Sequence, residues 1–192
     1  MFKRISISAS LFLAAAAPAF AHINPEEHGS FMAGVSHPLF GLDHILVMVA
    51  AGLWAARIGG RALWIVPSAF AGTMVTGYAL ALSGIGLPFV EPAILASVIA
   101  LGLLVAMAVR LPVSASAAIA GVFALFHGHA HGGELGSAGA LQFGIGFVIA
   151  TALLHVAGIG LGIAAGRFAH GGIVSRIAGA LTALAGTALV FA

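Results

Sequence analysis

The chain contains no cysteine and very few charged residues. The absence of cysteine excludes disulfides and thiolate ligands, so a transition metal would have to be held by histidine, methionine, carboxylate or backbone groups. Only 6% of the residues are charged, whereas a soluble domain has about a quarter. Seven residues are basic and five acidic, and Lys3 and Arg4 lie in a segment that we expect to be removed. The remaining balance gives a nucleic-acid partner no electrostatic support.

Hydrophobic residues make up 61% of the 192-residue chain. They form runs of about 20 residues, the length that crosses a hydrocarbon core of about 30 Å. The chain also has 27 glycines, which in lipid let helix backbones approach each other closely. The composition therefore predicts one all-α, polytopic membrane domain in which glycine serves helix packing.

Residues 1–21 have the pattern of a signal peptide. Two basic residues precede an apolar stretch that is short for a membrane span, and an Ala-x-Ala site ends it at Ala21. We expect cleavage there, with an uncleaved anchor helix as the alternative. Cleavage would make His22 the first residue of a periplasmic leader over residues 22–36, and a free α-amine beside its imidazole can chelate a metal ion.

Six apolar segments follow the leader, and they predict six transmembrane helices within residues 37–192. Their approximate limits are 37–56, 62–83, 89–109, 112–131, 140–165 and 172–191. The remaining arginines all fall in or beside the odd-numbered connections: Arg57, Arg61, Arg110, Arg167 and Arg176. Because positively charged connections stay in the cytoplasm, we expect both termini outside and the protein in a bacterial inner membrane. An exported leader requires the same orientation.

The first polar cluster runs from His37 to Asp43 and His44 at the outer end of the first predicted span. Pro38 suits a first helical position, so we expect His37 at or before the helix start. On a continuous helix His37 and His44 would lie roughly 10 Å apart along the axis, too far for one ion. Either Gly41 permits a break that folds His37 toward His44, or His37 belongs to a separate step.

The second polar cluster lies at the end of the fourth predicted span. His127 and His131 are four residues apart and therefore neighbours on one helix face, and Glu134 follows at a spacing of three. Imidazole suits nickel, cobalt, zinc and copper, and a carboxylate serves as a ligand or fixes a histidine tautomer. His129 points away from that face and is a candidate for an entry position.

The predicted topology places both clusters in the same outer half of the membrane, so they are expected to converge. Ionisable groups at membrane depth are costly and are usually functional. The alternative is that these histidines line a wet interfacial loop, where they would cost little. Two groups lie apart from the clusters: His155, near the middle of the fifth span, is a candidate for the path below the outer site, and Glu91 is an interfacial charge or a ligand.

The first cluster reads His-Pro-x-x-Gly-x-Asp-His and the second Phe-His-Gly-x-Ala-His-Gly-x-Glu. Together they resemble the motifs of the HupE/UreJ family of nickel/cobalt permeases, and both patterns are filled without departure. The resemblance implies secondary uptake of nickel or cobalt that supplies hydrogenase, urease or cobalamin synthesis. It also marks six metal-site residues: His37, Asp43, His44, His127, His131 and Glu134.

We therefore expect a transporter of Ni²⁺ or Co²⁺ from periplasm to cytoplasm, with no prosthetic group and a possible homo-oligomeric state, rather than an enzyme. Lower-ranked metal positions are His22, His129 and His155. Two alternatives stay open. One is an integral-membrane hydrolase using a histidine-bound metal water, and the other is a metal-binding accessory or sensor protein. The sequence does not distinguish nickel from cobalt, since both accept the same ligands.

Overall fold

The computed structural model describes residues 30–135, 139–168 and 170–192, apart from the side chains of residues 134 and 135. The predicted signal peptide and His22 lie outside these residues. The described part of the chain is all-helical. Its helices are α1 Phe31–Phe40, α2 Leu42–Ile58, α3 Ala62–Leu82, α4 Val90–Ala106, α5 Val113–Leu135, α6 Ala140–Gly166 and α7 Gly171–Val190.

Helices α3, α5, α6 and α7 are each long and apolar enough to cross a membrane. Only 22–33% of the residues in their most apolar windows are buried inside the protein. Their remaining surface carries large exposed hydrophobic side chains, which water would not solvate favourably and a bilayer would. The described chain is therefore a multi-pass membrane bundle.

The first and third predicted spans do not form single long helices. Helices α1 and α2 pass the same test only as a pair, and they are bent by 79° at the break between them. Helix α4 has 17 residues and is shorter than the predicted segment 89–109. Left-handed backbone at Phe89 and Ala108, with φ of 59° and 56°, ends the helical geometry on both sides of α4. The count of six crossings stays a prediction.

The start of the first helix was predicted wrongly. Instead of starting near His37, α1 begins at Phe31, where the side chain of Ser30 accepts a hydrogen bond from the Ala33 amide at 3.0 Å. Pro38 consequently lies inside α1. A proline there removes one backbone hydrogen bond, a cost that stays local because the helix ends two residues later. The N-cap signal of Ser30 outweighed the proline signal.

Gly41 is the break between α1 and α2. Its backbone is extended, with φ −77° and ψ 112°, and its amide donates to the carbonyl of His37 at 3.1 Å. A Cβ atom at this position would lie 2.9 Å from Nδ1 of His44 and 3.1 Å from Oδ1 of Asp43. Glycine is needed here for the close approach of these two side chains rather than for an unusual φ. The break turns the end of α1 back toward the start of α2.

Glycines bring several pairs of helices into backbone contact, and two of these pairs include the histidine-bearing helices α2, α5 and α6. In the α3/α5 pair, a Cβ at Gly77 would collide with the Leu125 carbonyl, and one at Gly128 with the Met74 carbonyl. In the α2/α6 pair, Gly52 and Gly158 approach each other in the same way, with a Cβ at Gly158 only 3.0 Å from the Gly52 Cα. Packing this close maximises van der Waals contact in lipid, where apolar burial contributes little. These pairs hold α2, α5 and α6 at fixed depths.

The polar residues are segregated to opposite ends of the bundle. The break between α1 and α2 and the end of α5 lie at one end. At the other, Arg57 and Arg110 line a common cavity, and the Arg176 side chain donates to the carbonyl of Ala106 at 2.8 Å. The bundle thus has a histidine end and an arginine end.

Candidate metal centre

Three imidazoles from three helices converge at the histidine end. His37 comes from α1, His44 from α2 and His131 from α5, and one ring nitrogen of each lies within 4.8 Å of the others. Nε2 of His44 is 2.6 Å from Nε2 of His131. The rings of His37 and His44 have centroids 5.4 Å apart, because Gly41 breaks the helix between them. The first of the two alternatives for His37 therefore holds: it folds back onto His44.

The three-histidine cluster is largely closed off from solvent. His44 is 4% exposed and His131 6%, while His37 is half-buried. The ring of Phe147 lies against all three, with its centroid 4.9 Å from that of His131. Phe143 adds an edge contact to His37 at 5.9 Å. Apolar walls of this kind lower the local dielectric and strengthen any electrostatic interaction with a cation inside.

Asp43 supplies a negative charge beside the cluster. Its Oδ1 atom is 2.9 Å from Nδ1 of His44. That nitrogen is buried and has no aligned hydrogen-bond partner among the described residues, so the contact is electrostatic rather than a directed hydrogen bond. A carboxylate at this distance attracts a cation that binds next to the imidazole.

His127 lies one turn before His131 on α5 and is completely buried. The Ser97 hydroxyl donates its proton to the carbonyl of Ile94, so it can only accept the 2.9 Å hydrogen bond from Nε2 of His127. His127 therefore carries its proton on Nε2 and an electron pair on Nδ1. This Nδ1 is buried without a hydrogen-bond partner in the described chain, and the ring centroid is 5.2 Å from that of His44.

His155 lies deeper along the bundle on α6 and is 1% exposed. Its Nδ1 is 2.8 Å from the carbonyl of Thr151, which can only accept, so Nδ1 is the protonated nitrogen. Its Nε2 is buried and has no hydrogen-bond partner among the residues described. The ring of Phe70 contacts both inner histidines, with centroids 4.8 Å from His155 and 6.0 Å from His127.

The remaining predicted site residues lie elsewhere. His129 faces away from the cluster, as expected, and its Nε2 donates to the carbonyl of Ile85 at 2.8 Å. Glu91 is exposed in the first turn of α4. The Glu134 side chain and His22 lie outside the described residues.

Sequence reasoning missed Ser97, Phe70 and Phe147 as parts of this site. Ser97 carried a usable signal, because it is a hydroxyl in an otherwise apolar segment and such a group needs a partner in lipid. Phe70 and Phe147 carried none, since aromatic residues are ordinary in apolar helices and only tertiary packing sets them against imidazoles.

Long apolar helices around a buried group of convergent imidazoles define a multi-pass membrane protein with a candidate metal-binding site. Residues 10–189 match the family described as HupE / UreJ protein. The chain is also 50% identical to Protein HupE of Rhizobium leguminosarum bv. viciae over 180 residues, which is 92% of this chain and 93% of that relative. No solved structure matches the chain. The chain belongs to the HupE/UreJ family, as its two motifs predicted.

Proposed function

We propose that the protein is a secondary transporter that carries nickel, cobalt or both as divalent ions from the periplasm to the cytoplasm. The observation that carries the proposal is the convergence of His37, His44 and His131 inside a membrane bundle. Imidazole is a preferred ligand of both metals. The family resemblance, which points to nickel/cobalt permeases, supports the same cargo.

The proposed outer site takes ring nitrogens from His37, His44 and His131 as its ligands. Asp43 offsets the charge of the ion, and its position beside His44 supports that role. Glu134 follows His131 by three residues on the same helix and completes the proposed site as a further carboxylate. His127 is the next ligand inward, because its Nδ1 electron pair lies one helical turn from His131.

The ion then passes from His127, past the Phe70 ring, to His155. Buried nitrogens with free electron pairs on both sides of Phe70 support this order. An inward-negative potential contributes about 2.3 kcal/mol per charge per 100 mV, and a divalent ion gains about twice that. This gain favours inward movement of the ion without nucleotide hydrolysis.

The proposed setting is the inner membrane, crossed six times with the histidine end in the periplasm. In this arrangement α1 and α2 form one broken span and α4 a short one. The grouping of Arg57 and Arg110 at the opposite end supports the orientation, because basic residues stay in the cytoplasm. His22, at the proposed mature N-terminus, and His129 are proposed as entry ligands at the periplasmic face.

Uptake of radioactive nickel or cobalt into proteoliposomes with a negative interior tests the proposal. We expect the wild-type protein to accumulate the ion, and His131→Ala and Asp43→Ala to lose uptake about tenfold or more, as loss of partners at metal sites does. His170→Ala is the matched control, because His170 is exposed and its side chain forms no helix cap. Stoichiometric metal binding without uptake by the wild type would favour the accessory or sensor alternative.

A further inference from the structure

A second polar cavity lies at the arginine end, away from the histidine cluster. Its volume is about 140 Å³. This equals about four to five water molecules at about 30 Å³ each, which leaves room for a tetrahedral oxyanion. Parts of four regions line it: the end of α2, the connection between α4 and α5, the end of α6 and the start of α7.

Two arginines from distant parts of the chain face this cavity. Arg57 is at the end of α2, and Arg110 is in the connection before α5. Neither forms an ion pair with a described residue, and Nε of Arg57 is buried without a hydrogen-bond partner there. A buried guanidinium nitrogen in this condition is costly unless an acceptor satisfies it.

The described residues supply no carboxylate at this end to neutralise the two arginines. Asp43 precedes Arg57 by almost the whole of α2, and Glu91 precedes Arg110 by the whole of α4, separations of at least about 20 Å at about 1.5 Å per residue. Residues 44–90, 92–133 and 135–192 contain no aspartate or glutamate. The described residues therefore leave the charges of Arg57 and Arg110 available to an anion from another molecule.

The wall formed by α7 also favours an anion. Helix α7 begins at Gly171, and the start of a helix carries a partial positive charge. A Cβ at Gly172 would lie 3.7 Å from Nη1 of Arg57, so the guanidinium lies beside the first turn of α7. Gly162 and Gly166 on α6 have no side chains to fill the space between. Guanidinium groups and helix N-termini are the two features that proteins most often combine for phosphate.

We propose that this cavity binds a phosphate group between Arg57 and Arg110, either the headgroup phosphate of an anionic phospholipid or free inorganic phosphate. The site is separate from the histidine cluster and takes the opposite sign of charge.

The location of the phosphate site gives it a role in ion release, a consequence that rests on the proposed function. Gly162 lies two helical turns beyond His155 on α6, so the cavity is about 10 Å further toward the arginine end. A divalent cation leaving His155 in that direction meets the charges of Arg57 and Arg110. A bound phosphate offsets this repulsion and lowers the barrier to exit.

Phosphate binding is tested on the full-length protein in a neutral detergent, with two probes in separate titrations. Inorganic phosphate is titrated calorimetrically, and short-chain phosphatidylglycerol is titrated against short-chain phosphatidylcholine as the neutral reference. We expect saturable binding of at least one phosphate probe by the wild type, weakened about tenfold or more in Arg57→Gln and in Arg110→Gln, since each removes a charge-assisted partner. Arg61→Gln is the matched control, because Arg61 is an exposed arginine at the same end and does not line the cavity.

Preference for phosphatidylglycerol over phosphatidylcholine would identify a lipid as the source, and binding of inorganic phosphate alone would identify a soluble anion. The proposal is overturned if neither probe binds, or if Arg61→Gln weakens binding as much as Arg110→Gln does. Arg110 is exposed, so its variant is expected to fold even if Arg57→Gln does not. Neither titration requires metal transport, so the outcome is independent of the uptake assay.

Discussion

Nε2 of His44 lies 2.6 Å from Nε2 of His131, although 87 residues separate them in the chain. Two neutral imidazoles at this distance share one proton, because one nitrogen has to donate and the other to accept. A divalent cation can bind both Nε2 atoms only if that proton leaves, either to Nδ1 of the donor ring or to solvent. The pair thus joins α2 to α5 and gives the proposed metal and protons the same position to occupy.

Competition between metal and protons makes uptake dependent on external pH. Ligating imidazole nitrogens must be unprotonated, so each metal ion that binds competes with protons. Lowering the external pH raises the proton concentration and opposes cation binding. We expect initial uptake rates in proteoliposomes to fall as external pH decreases from 7.5 to 5, with the internal pH and the membrane potential held constant. Equal rates across this range would contradict histidine ligation as the selective step.

Gly41→Ala is expected to damage the metal site without removing any ligand. The new Cβ would lie 2.9 Å from Nδ1 of His44 and 3.1 Å from Oδ1 of Asp43, so one or both side chains must move. We expect metal affinity, measured by calorimetric titration, to fall about tenfold, in the range seen when the support of a metal ligand is disturbed.

The matched control for that substitution is Gly72→Ala on α3. A Cβ at Gly72 would have no neighbour within 4 Å, and the position is helical, so alanine is tolerated there. If both variants bind metal as the wild type does, the break at Gly41 does not hold the ligands in place.

Ser97→Ala is expected to alter His127 through its hydrogen bond rather than through packing. The serine hydroxyl is the acceptor that keeps the proton of His127 on Nε2 and the electron pair on Nδ1. Without it, the tautomer is no longer fixed, and nickel uptake should fall roughly 10-fold. Nitrogen NMR of labelled histidine distinguishes the two tautomers directly, and Ser97→Thr should restore both the spectrum and the uptake.

A second buried serine provides the control for Ser97. Ser116 is also fully buried, and its hydroxyl donates to the carbonyl of Pro112, the residue that precedes its own helix. Ser116→Ala should leave the His127 signals and the uptake rate unchanged. A similar loss of uptake in both variants would indicate a general packing defect.

His44→Ala and His155→Ala are expected to distinguish metal binding at the outer cluster from passage of the ion along the path. His44 belongs to the outer cluster, so its loss should reduce both metal affinity and uptake. His155 lies beyond the Phe70 ring, so its loss should leave equilibrium binding at the outer cluster intact and slow uptake about tenfold. Binding is measured by titration in detergent and uptake in proteoliposomes. Equal loss of affinity in both variants would refute the order of sites along the path.

Much of the helical architecture could be predicted because it follows from local patterns. The apolar runs and the positions of the arginines depend on solvation alone, so they located the helices and separated the two ends of the bundle. The break at Gly41 could be predicted only as one of two alternatives. Whether it forms depends on the contacts of His37 with His131 and of the glycine with His44, and these are tertiary.

The start of α1 and the partners of the inner histidines could not be predicted from local sequence patterns. Ser30 and Pro38 give competing start signals seven and one residues from His37, and the sequence does not show which one packing favours. The pairing of Ser97 with His127 joins α4 to α5 across 30 residues, so no spacing within one helix indicates it.

Two of the glycine-mediated helix pairs, α2/α6 and α3/α5, act as separate mechanical bodies. Within each pair, sliding would drive backbone into backbone, so the pair α2/α6 and the pair α3/α5 each resist internal movement. His44 belongs to the first body and His131 to the second. A metal ion that binds both His44 and His131 restricts the movement of one helix pair relative to the other, and its dissociation removes that restriction. Amide hydrogen exchange at the contact between the two helix pairs should therefore slow when the metal binds. The transported ion would then also stabilise the protein that carries it.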